Sequence, residues 1–369
     1  MRLSRRAMLS GAAASFATGA FAEAPLTSMR PRARVPAGDA IRRLVSGAGL
    51  SGATGVVVTD LATGDVIEDI NGGMAQPPAS TTKAVTALYA LEALGADHRF
   101  ATRVYASGPF ANGVLQGNLI LAGGGDPDLA TDDLAALASS LKDAGLREVK
   151  GDFLVWDEAL RNVDEIDPGQ LDHVGYNPTI TGLNLNYNRV HFEWKRAEDD
   201  FTTAVDARSA NYRPAVTIAE VDLVDRNAPV FTYEDDGDVD KWTVARSSLN
   251  DEGSRWLPVR HPALYAGEVF ATFMRSHGVV LKAPKETLAA PRGQVLAQFN
   301  SAPLTDQLRY MLRNSINLSA EATGMAATKQ LSGQRQGMLA SARGMSDWTT
   351  GRCGGVAPAF VDHSGLGDA

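Results

Sequence analysis

Residues 77–95, PPASTTKAVTALYALEALG, place two prolines directly before a long apolar run. The run is apolar on nearly all sides and stops at Gly95, which predicts a buried central helix with a glycine after its end. Ser80 and Lys83 stand three positions apart where this helix begins. Residues at this spacing share a helix face, so we expect the lysine amine to lie against the serine hydroxyl.

The Ser-x-x-Lys pair suggests a serine nucleophile with a lysine base. Burial in apolar surroundings disfavours a charged lysine, and a neutral amine can take the serine proton. The positive end of the helix dipole would favour negative charge on Ser80. In the alternative interpretation, Ser80 caps the helix and Lys83 extends into solvent. The motif is short, and a second copy, Ser139-Ser140-Leu141-Lys142, lies inside an amphipathic segment and is interpreted as chance.

A second motif, Ser-x-Asn, accompanies Ser-x-x-Lys in enzymes of this kind and helps to transfer protons and to orient the substrate. Three copies occur, beginning at Ser209, Ser248 and Ser315. The first two lie in an irregular middle region. The third, Ser315-Ile316-Asn317, falls in a short break between two helical segments, where side chains can point into a cleft.

The rest of the chain predicts an α/β (α+β) fold with a β-rich interruption. A short helix at 40–50 and a hairpin at 52–73 precede the Ser80 helix. From about residue 100 the pattern becomes strand-like, with one clear helix at 132–145. The acidic segment 233–242 is interpreted as a hairpin tip, because it lacks the glutamate that closes an EF-hand loop. Helical patterns resume at 261–279 and continue through 304–331.

The N-terminus has the features of an export signal. Arg2, Arg5 and Arg6 precede a run of small and apolar residues, and Ala20-Phe21-Ala22 provides a cleavage site, so residues 1–22 are predicted to be a signal peptide. The adjacent arginines are typical of the twin-arginine route, which predicts a periplasmic protein. No membrane span is predicted in the mature chain.

Composition excludes some classes of protein. The net charge of −8 and the lack of a basic cluster argue against nucleic-acid binding. The only cysteine, Cys353, excludes an intramolecular disulfide. The segment GGGDPDL at 123–129 lacks the Lys-Ser/Thr of a phosphate-binding loop and is interpreted as a turn. No metal and no cofactor are predicted.

Six segments occur in an order that resembles the low-molecular-mass class C penicillin-binding proteins, the D-alanyl-D-alanine carboxypeptidase/endopeptidases. They are the hairpin followed by PPASTTKAVTALYALEALG, LAGGGDPDL, YNPTITGLNLNYN, HPALYAGEVF, PLTDQLRYMLRNSINLSAEA and VDHSGLGD. The resemblance runs from about residue 37 to the end. It implies a serine β-lactamase/transpeptidase-like domain at 37–100 and 258–369, split by a β-rich inserted region at 101–257.

The resemblance also implies roles for five residues. Ser80 would attack the peptide carbonyl between two D-alanines, Lys83 would be its base, and the Ser80 N–H would contribute to the oxyanion hole. Ser315 would complete the proton path and Asn317 would hold the substrate. Asp172, in the inserted region, is a candidate for binding the free amine of the stem-peptide diamino acid. Ile316 occupies the middle position of the second motif, where the family typically has Asp or Asn, and the change is expected to affect local packing.

The third family motif, Lys-Thr-Gly, is missing. His363-Ser364-Gly365 could replace it, but VDHSGLGD at 361–368 better matches a family loop that precedes that motif. The sequence is therefore expected to be truncated before the Lys-Thr-Gly strand, without the last strands of the sheet and the terminal helix. A sheet that lacks inner strands leaves apolar faces uncovered, so such a fragment would fold poorly or be inactive.

The leading hypothesis is a serine D,D-peptidase that acts on peptidoglycan stem peptides and cross-links and is inhibited by β-lactams. The alternatives are a non-catalytic peptidoglycan-binding protein of the same fold, an inactive fragment, and a β-lactamase or esterase. A Ser-His-Asp hydrolase is disfavoured because no Gly-x-Ser-x-Gly elbow occurs.

Overall fold

The computed structural model describes residues 37–198, 200–355 and 358–367. The predicted signal peptide at 1–22 lies outside the described residues. The chain divides into two compact units, 1–76 and 77–369. Within the described ranges, no helix combines the length and the apolar character needed to cross a membrane.

The described part of the first unit contains one helix and one hairpin. Helix α1 spans Ala37–Gly47, and strands β1 (Val56–Thr59) and β2 (Val66–Ile70) pair antiparallel. The Asp60 carboxylate accepts the N–H of Ala62 at 2.8 Å and so supports the turn between the strands. The predicted short helix and hairpin are confirmed.

The second unit contains six helices and fourteen strands among its described residues. The helices are α2 (Thr82–Leu94), α3 (Thr131–Asp143), α4 (Pro262–Ser276), α5 (Leu304–Asn314), α6 (Asn317–Ser332) and α7 (Met338–Cys353). The strands are β3 (Ala101–Ala106), β4 (Phe110–Ala111), β5 (Val114–Leu115), β6 (Leu119–Ala122), β7 (Glu148–Val149), β8 (Phe153–Trp156), β9 (Arg189–Arg196), β10 (Phe201–Asp206), β11 (Ala219–Val224), β12 (Phe231–Asp235), β13 (Asp240–Ala245), β14 (Glu252–Pro258), β15 (Pro284–Glu286) and β16 (Gln294–Asn300).

A mixed five-stranded sheet with the order β15-β8-β6-β3-β16 forms the centre of the β-rich part. Helices α3 and α4 pack together, and α4 also lies against β8. Three three-stranded sheets complete this part, with the orders β10-β9-β14, β11-β13-β12 and β4-β5-β7. The acidic segment 233–242 is a hairpin between β12 and β13, as predicted.

The five-stranded sheet extends past the predicted end of the inserted region at residue 257. Strand β15 pairs parallel with β8, and β16 pairs antiparallel with β3, although both follow α4 in the chain. The observed sheet therefore includes residues on both sides of the predicted boundary. The division into 37–100 with 258–369 and 101–257 stays a prediction.

Helix α2 packs against α5, α6 and α7, which together form a helical cluster. Its core includes Ala87, Tyr89 and Ala90 of α2, together with Leu308 and Met345. The predicted buried helix is confirmed: Thr82, Lys83, Thr86, Ala87, Tyr89 and Ala90 are all buried. Leu88 is an exception, with 61% of its surface exposed.

Candidate active site

Ser80 lies in a single 3₁₀ turn, Ala79–Thr81, that leads into α2. Ala79 adopts a left-handed conformation with φ 47°, which is uncommon for a residue other than glycine and frequent where structure is constrained for function. The turn exposes the Ser80 side chain at the N-terminal end of α2. The dipole of the helix favours negative charge at this end.

The Ser80 hydroxyl is the meeting point of the two predicted motifs. Lys83 Nζ donates a hydrogen bond to Ser80 Oγ at 2.9 Å, and Ser315 Oγ donates another at 2.9 Å. The structure makes Thr81, not Ser80, the residue that precedes α2. Lys83 is 1% exposed, so it does not extend into solvent. The geometry contradicts the capping interpretation and places the three predicted catalytic side chains in contact.

Burial changes the acid–base behaviour of Lys83. Desolvation lowers the pKa of its amine, while the nearby carboxyl groups of Glu321 and Asp362 raise it again. The net direction is downward, so a larger fraction of Lys83 is neutral at a given pH than for a lysine in water. A neutral amine within hydrogen-bonding distance of Ser80 can accept its proton.

The break between α5 and α6 presents Ser315 to Ser80. Helix α5 ends at Asn314, Ser315 turns the backbone with φ 56°, and Ile316 is extended before α6 begins. This confirms the predicted break between two helices. Asn317, the first residue of α6, is buried and its Nδ2 donates to the carbonyl of Tyr176 at 2.9 Å. The second motif therefore also connects the nucleophile to the segment that contains Asp172.

Sequence reasoning missed the second hydrogen-bond partner of the Lys83 amine and the glutamate behind it. Lys83 Nζ also donates to the backbone carbonyl of Ser364 at 2.9 Å. Glu321, on α6, is fully buried and accepts the N–H of His363 with both carboxylate oxygens at 3.0 Å. Glu321 could have been identified from sequence, because it is the single glutamate among the apolar and small residues of LSAEATGMAAT. A backbone carbonyl partner leaves no such signal in sequence.

His363 is a core side chain. It is fully buried, its Nε2 lies 2.7 Å from Ser341 Oγ, and its Nδ1 lies 3.4 Å from Met345 Sδ. Desolvation lowers its pKa to about 3, so the imidazole is neutral at physiological pH. These contacts do not support the possibility that His363 replaces the carboxylate-binding lysine of a Lys-Thr-Gly motif.

Asp172 has no hydrogen bond to Ser80, Lys83 or Ser315 in the described structure. Its exposed side chain lines a separate cavity of 350 Å³ together with Phe231 and Arg255. Its backbone carbonyl accepts a hydrogen bond from Arg260 at 3.2 Å. Its role in binding a substrate amine therefore stays a proposal.

The second Ser-x-x-Lys copy lies inside α3, as predicted, with Lys142 in its last turn. Lys142 Nζ donates to the carbonyl of His277 at 3.1 Å, and Ser140 Oγ donates back to the carbonyl of Ala136 at 2.9 Å. No hydrogen bond joins Ser139 to Lys142 in the described structure. Ser139 and Lys142 are therefore suitable positions for control substitutions. No group of three or more His, Cys, Asp or Glu residues within the described ranges is arranged to hold a metal ion.

Gly365 lies against the turn that presents Ser80. It has φ 73°, and a Cβ atom added there would overlap the carbonyl of Ala79 far inside contact distance. We expect Gly365→Ala to displace the Ser80 turn and to slow acylation by a β-lactam by at least about tenfold, because small misplacements of reacting groups are costly. The measurement is the rate of labelling by a fluorescent penicillin.

Gly333→Ala is the matched control for Gly365→Ala. Gly333 has nearly the same φ, 71°, but no atom lies within 4 Å of an added Cβ. Both variants place an L-residue in a left-handed conformation, which destabilises the backbone. Only in Gly365→Ala does the new Cβ also overlap the Ala79 carbonyl. Equal labelling rates in the two variants would contradict a role for this close approach.

Comparisons with known proteins agree with this geometry. A family model described as the D-Ala-D-Ala carboxypeptidase 3 (S13) family matches residues 40–345. A D-alanyl-D-alanine carboxypeptidase of Actinomadura sp. (strain R39) is 33% identical over 285 residues, covering 73% of this chain and 52% of that protein. The D-alanyl-D-alanine carboxypeptidase DacB of Haemophilus influenzae is 27% identical over 317 residues, covering 83% and 64%. The chain thus spans between about half and two thirds of the length of these curated relatives.

The fold is also similar to that of a solved structure. The crystal structure of penicillin-binding protein 4 (dacB) from Haemophilus influenzae matches with a TM-score of 0.69 and 25% identity, covering 85% of this chain and 71% of that one. This similarity confirms the predicted α/β (α+β), transpeptidase-like fold class. The family model covers most of the chain, including the Ser80, Lys83 and Ser315 segments. The chain belongs to the D-Ala-D-Ala carboxypeptidase 3 (S13) family.

Proposed function

We propose that the protein is a serine D,D-peptidase that cleaves the peptide bond after a D-alanine through an acyl-enzyme on Ser80. One observation carries the proposal: Ser80 Oγ lies 2.9 Å from both Lys83 Nζ and Ser315 Oγ. A nucleophile beside a desolvated amine and a second hydroxyl is an arrangement that can perform acyl transfer.

In the proposed reaction, neutral Lys83 takes the proton of Ser80 as Oγ attacks the carbonyl carbon. The C–N bond then breaks, and the leaving amine receives a proton through Lys83 or Ser315. Water hydrolyses the ester and restores the Ser80 hydroxyl. The backbone N–H of Ser80 would stabilise the oxyanion, helped by the N-terminal end of α2.

We propose D-Ala-D-Ala ends and D-Ala–diamino acid cross-links of peptidoglycan as substrates. The names of the Actinomadura and Haemophilus relatives, both D-alanyl-D-alanine carboxypeptidases, support this class. Asn317 would orient the substrate amide, and Asp172 would meet a free amine on the diamino acid. Because the substrates belong to the cell wall, a periplasmic location after export, by the twin-arginine route, fits the proposal.

We propose β-lactams as inhibitors, since they present a strained amide to the same nucleophile and leave a stable ester on Ser80. A structure of the Haemophilus penicillin-binding protein 4 has been solved in complex with a novel β-lactam. That protein shares its fold with this chain.

The proposal is tested by incubating the protein with a stem pentapeptide that ends in D-Ala-D-Ala and with a cross-linked muropeptide dimer. We expect the release of D-alanine from the first or of monomers from the second, detected by mass spectrometry, and loss of both products after treatment with penicillin. If the protein binds peptidoglycan and leaves both substrates intact, the alternative of a non-catalytic wall-binding protein is favoured.

A further inference from the structure

The loop 362–367 fixes the position of the Lys83 amine. Besides Ser80 Oγ, the described hydrogen-bond partner of Lys83 Nζ is the Ser364 carbonyl at 2.9 Å. On the same face of α2, Thr86 Oγ1 donates to the carbonyl of His363 at 2.6 Å. Two successive carbonyls of this loop therefore accept hydrogen bonds from α2, so a displacement of the loop would displace the base.

Two buried carboxyl groups hold the loop in this conformation. Asp362 accepts the backbone N–H groups of Ser364, Gly365 and Gly367 at 3.0, 2.5 and 2.6 Å. Glu321 reaches the loop from α6 and accepts the His363 N–H with both oxygens. Asp362 organises the loop internally, whereas Glu321 joins the loop to the helix that begins with Asn317.

Among the described residues, two ionisable groups act on the charge of the Lys83 amine. Glu321 comes from α6 and Asp362 from the loop, and both favour the ammonium form of Lys83. His363, next in the loop, is neutral, and the α7 side chains that reach the loop, Ser341 and Met345, carry no charge.

The more distant titratable groups of α2, Tyr89 and Glu92, do not place a further charge next to Lys83. Tyr89 faces Thr328 of α6, and burial raises the pKa of its phenol, so it too is uncharged. Glu92 pairs with Arg352 of α7 at the surface. It lies nine residues along α2 from Lys83, about 13 Å at the rise of an α-helix. Of the two carboxyl groups that act on the charge of Lys83, Glu321 is thus the one that comes from another helix.

We propose that Glu321 is the positioning residue for Lys83: it anchors the loop whose Ser364 carbonyl holds the amine, and its carboxyl group shares the control of the charge on that amine. This inference rests on the proposed function, in which Lys83 is the base. Burial and Asp362 raise the pKa of Glu321 to about 8. Once Glu321 has lost its proton, its negative charge favours the ammonium form of Lys83.

Two substitutions separate the anchoring role from the electrostatic one. Glu321→Gln keeps a carbonyl oxygen that can accept the His363 N–H but removes the ionisable group. Glu321→Ala removes both, leaves the buried His363 N–H without its partner, and removes this link between the loop and α6. If Glu321 only filled space in α6, replacing it with Gln would change neither the titration of Lys83 nor the acylation rate at any pH.

The test titrates Lys83 directly in the full chain by NMR of lysine labelled with ¹³C at Cε. The Lys83 resonance is identified by its loss in Lys83→Met. We expect the Lys83 midpoint in Glu321→Gln to fall by roughly one pH unit or more, as on the loss of a nearby opposite charge. The ascending limb of the penicillin acylation rate should move to lower pH with it. Glu321→Ala should also lower the plateau of that rate, by at least about tenfold.

Asp126→Asn is the matched control. Asp126 is a buried carboxyl with a raised pKa of about 7 and accepts the side-chain amide of Gln307 at 2.8 Å. It has no contact with Lys83 or with the loop 362–367 in the described structure. Its replacement should leave the Lys83 midpoint unchanged. That result would show that removing a buried carboxyl group elsewhere does not shift the titration of Lys83.

The outcomes separate this inference from the proposed function. A Lys83 midpoint and an acylation profile in Glu321→Gln that both superimpose on wild type would overturn the role of Glu321, while the function stands. A shifted midpoint in a protein that penicillin never acylates would overturn the function and leave the control of Lys83 by Glu321 in place.

Discussion

Replacing Ser80 with alanine should abolish covalent labelling of the protein by a fluorescent penicillin. The substitution removes the atom that forms the ester in the proposed reaction, and we do not expect Ser315, whose Oγ donates to Ser80 Oγ, to replace it. Hydrolysis of a D-Ala-D-Ala peptide should fall by at least about 10³-fold, the scale on which loss of a nucleophile acts. Intact-protein mass spectrometry checks the adduct directly.

Ser139→Ala is the control for Ser80→Ala. It changes the same residue type in the other Ser-x-x-Lys copy, which lies inside α3. We expect this variant to be labelled at the wild-type rate and with the wild-type mass increase. Persistent labelling of Ser80→Ala at the original rate would show that another residue is the nucleophile.

Replacing Lys83 with methionine should slow acylation by about 10³-fold, within the range that a general base contributes. Methionine fills a similar apolar volume, so the buried position stays packed, but the proton acceptor beside Ser80 Oγ is lost. The pH dependence should change as well. In wild type the rate should rise with pH as Lys83 loses its proton, and burial, which lowers the pKa of Lys83, should place this rise below the range of an exposed lysine. The residual rate of Lys83→Met should lack that rise.

Lys83→Arg and Lys142→Met complete this experiment. Arginine can donate to the Ser364 carbonyl but stays protonated, so Lys83→Arg should be as slow as Lys83→Met if basicity is what matters. Lys142 belongs to the chance motif and donates to the His277 carbonyl, so its replacement should not affect acylation. Wild-type acylation by Lys83→Met would rule out Lys83 as the base.

The sequence was sufficient to predict the local features of the site. The prolines and the apolar run predicted α2, the spacing of Ser80 and Lys83 predicted their contact, and the break at Ser315 followed from the change of pattern between α5 and α6. Each prediction depends on neighbours within a few positions, where periodicity and turn chemistry determine structure. The contact between Ser315 and Ser80 also needed the order of six segments that resemble one family.

The remaining features depend on tertiary contacts that no local pattern contains. The exposure of Leu88 depends on which helices pack against α2, and the pairings of β15 with β8 and of β16 with β3 join segments that are far apart in the chain. The partners of Lys83 and Glu321 in the loop 362–367 are a backbone carbonyl and a backbone N–H, which every residue possesses. Sequence therefore predicts the reactive side chains better than the groups that hold them.

The hydrogen bond from Lys83 to the Ser364 carbonyl joins residues 281 positions apart in the chain. Such a contact closes a very long loop, and the entropy of closing it is lost before the contact forms. Proteins that depend on such distant contacts tend to fold slowly. A growing chain on the ribosome would have its nucleophile and base long before the carbonyl that holds the base has been synthesised. Reactivity with penicillin should therefore appear late in refolding, after helix α2 has formed, and would report when this long-range contact forms.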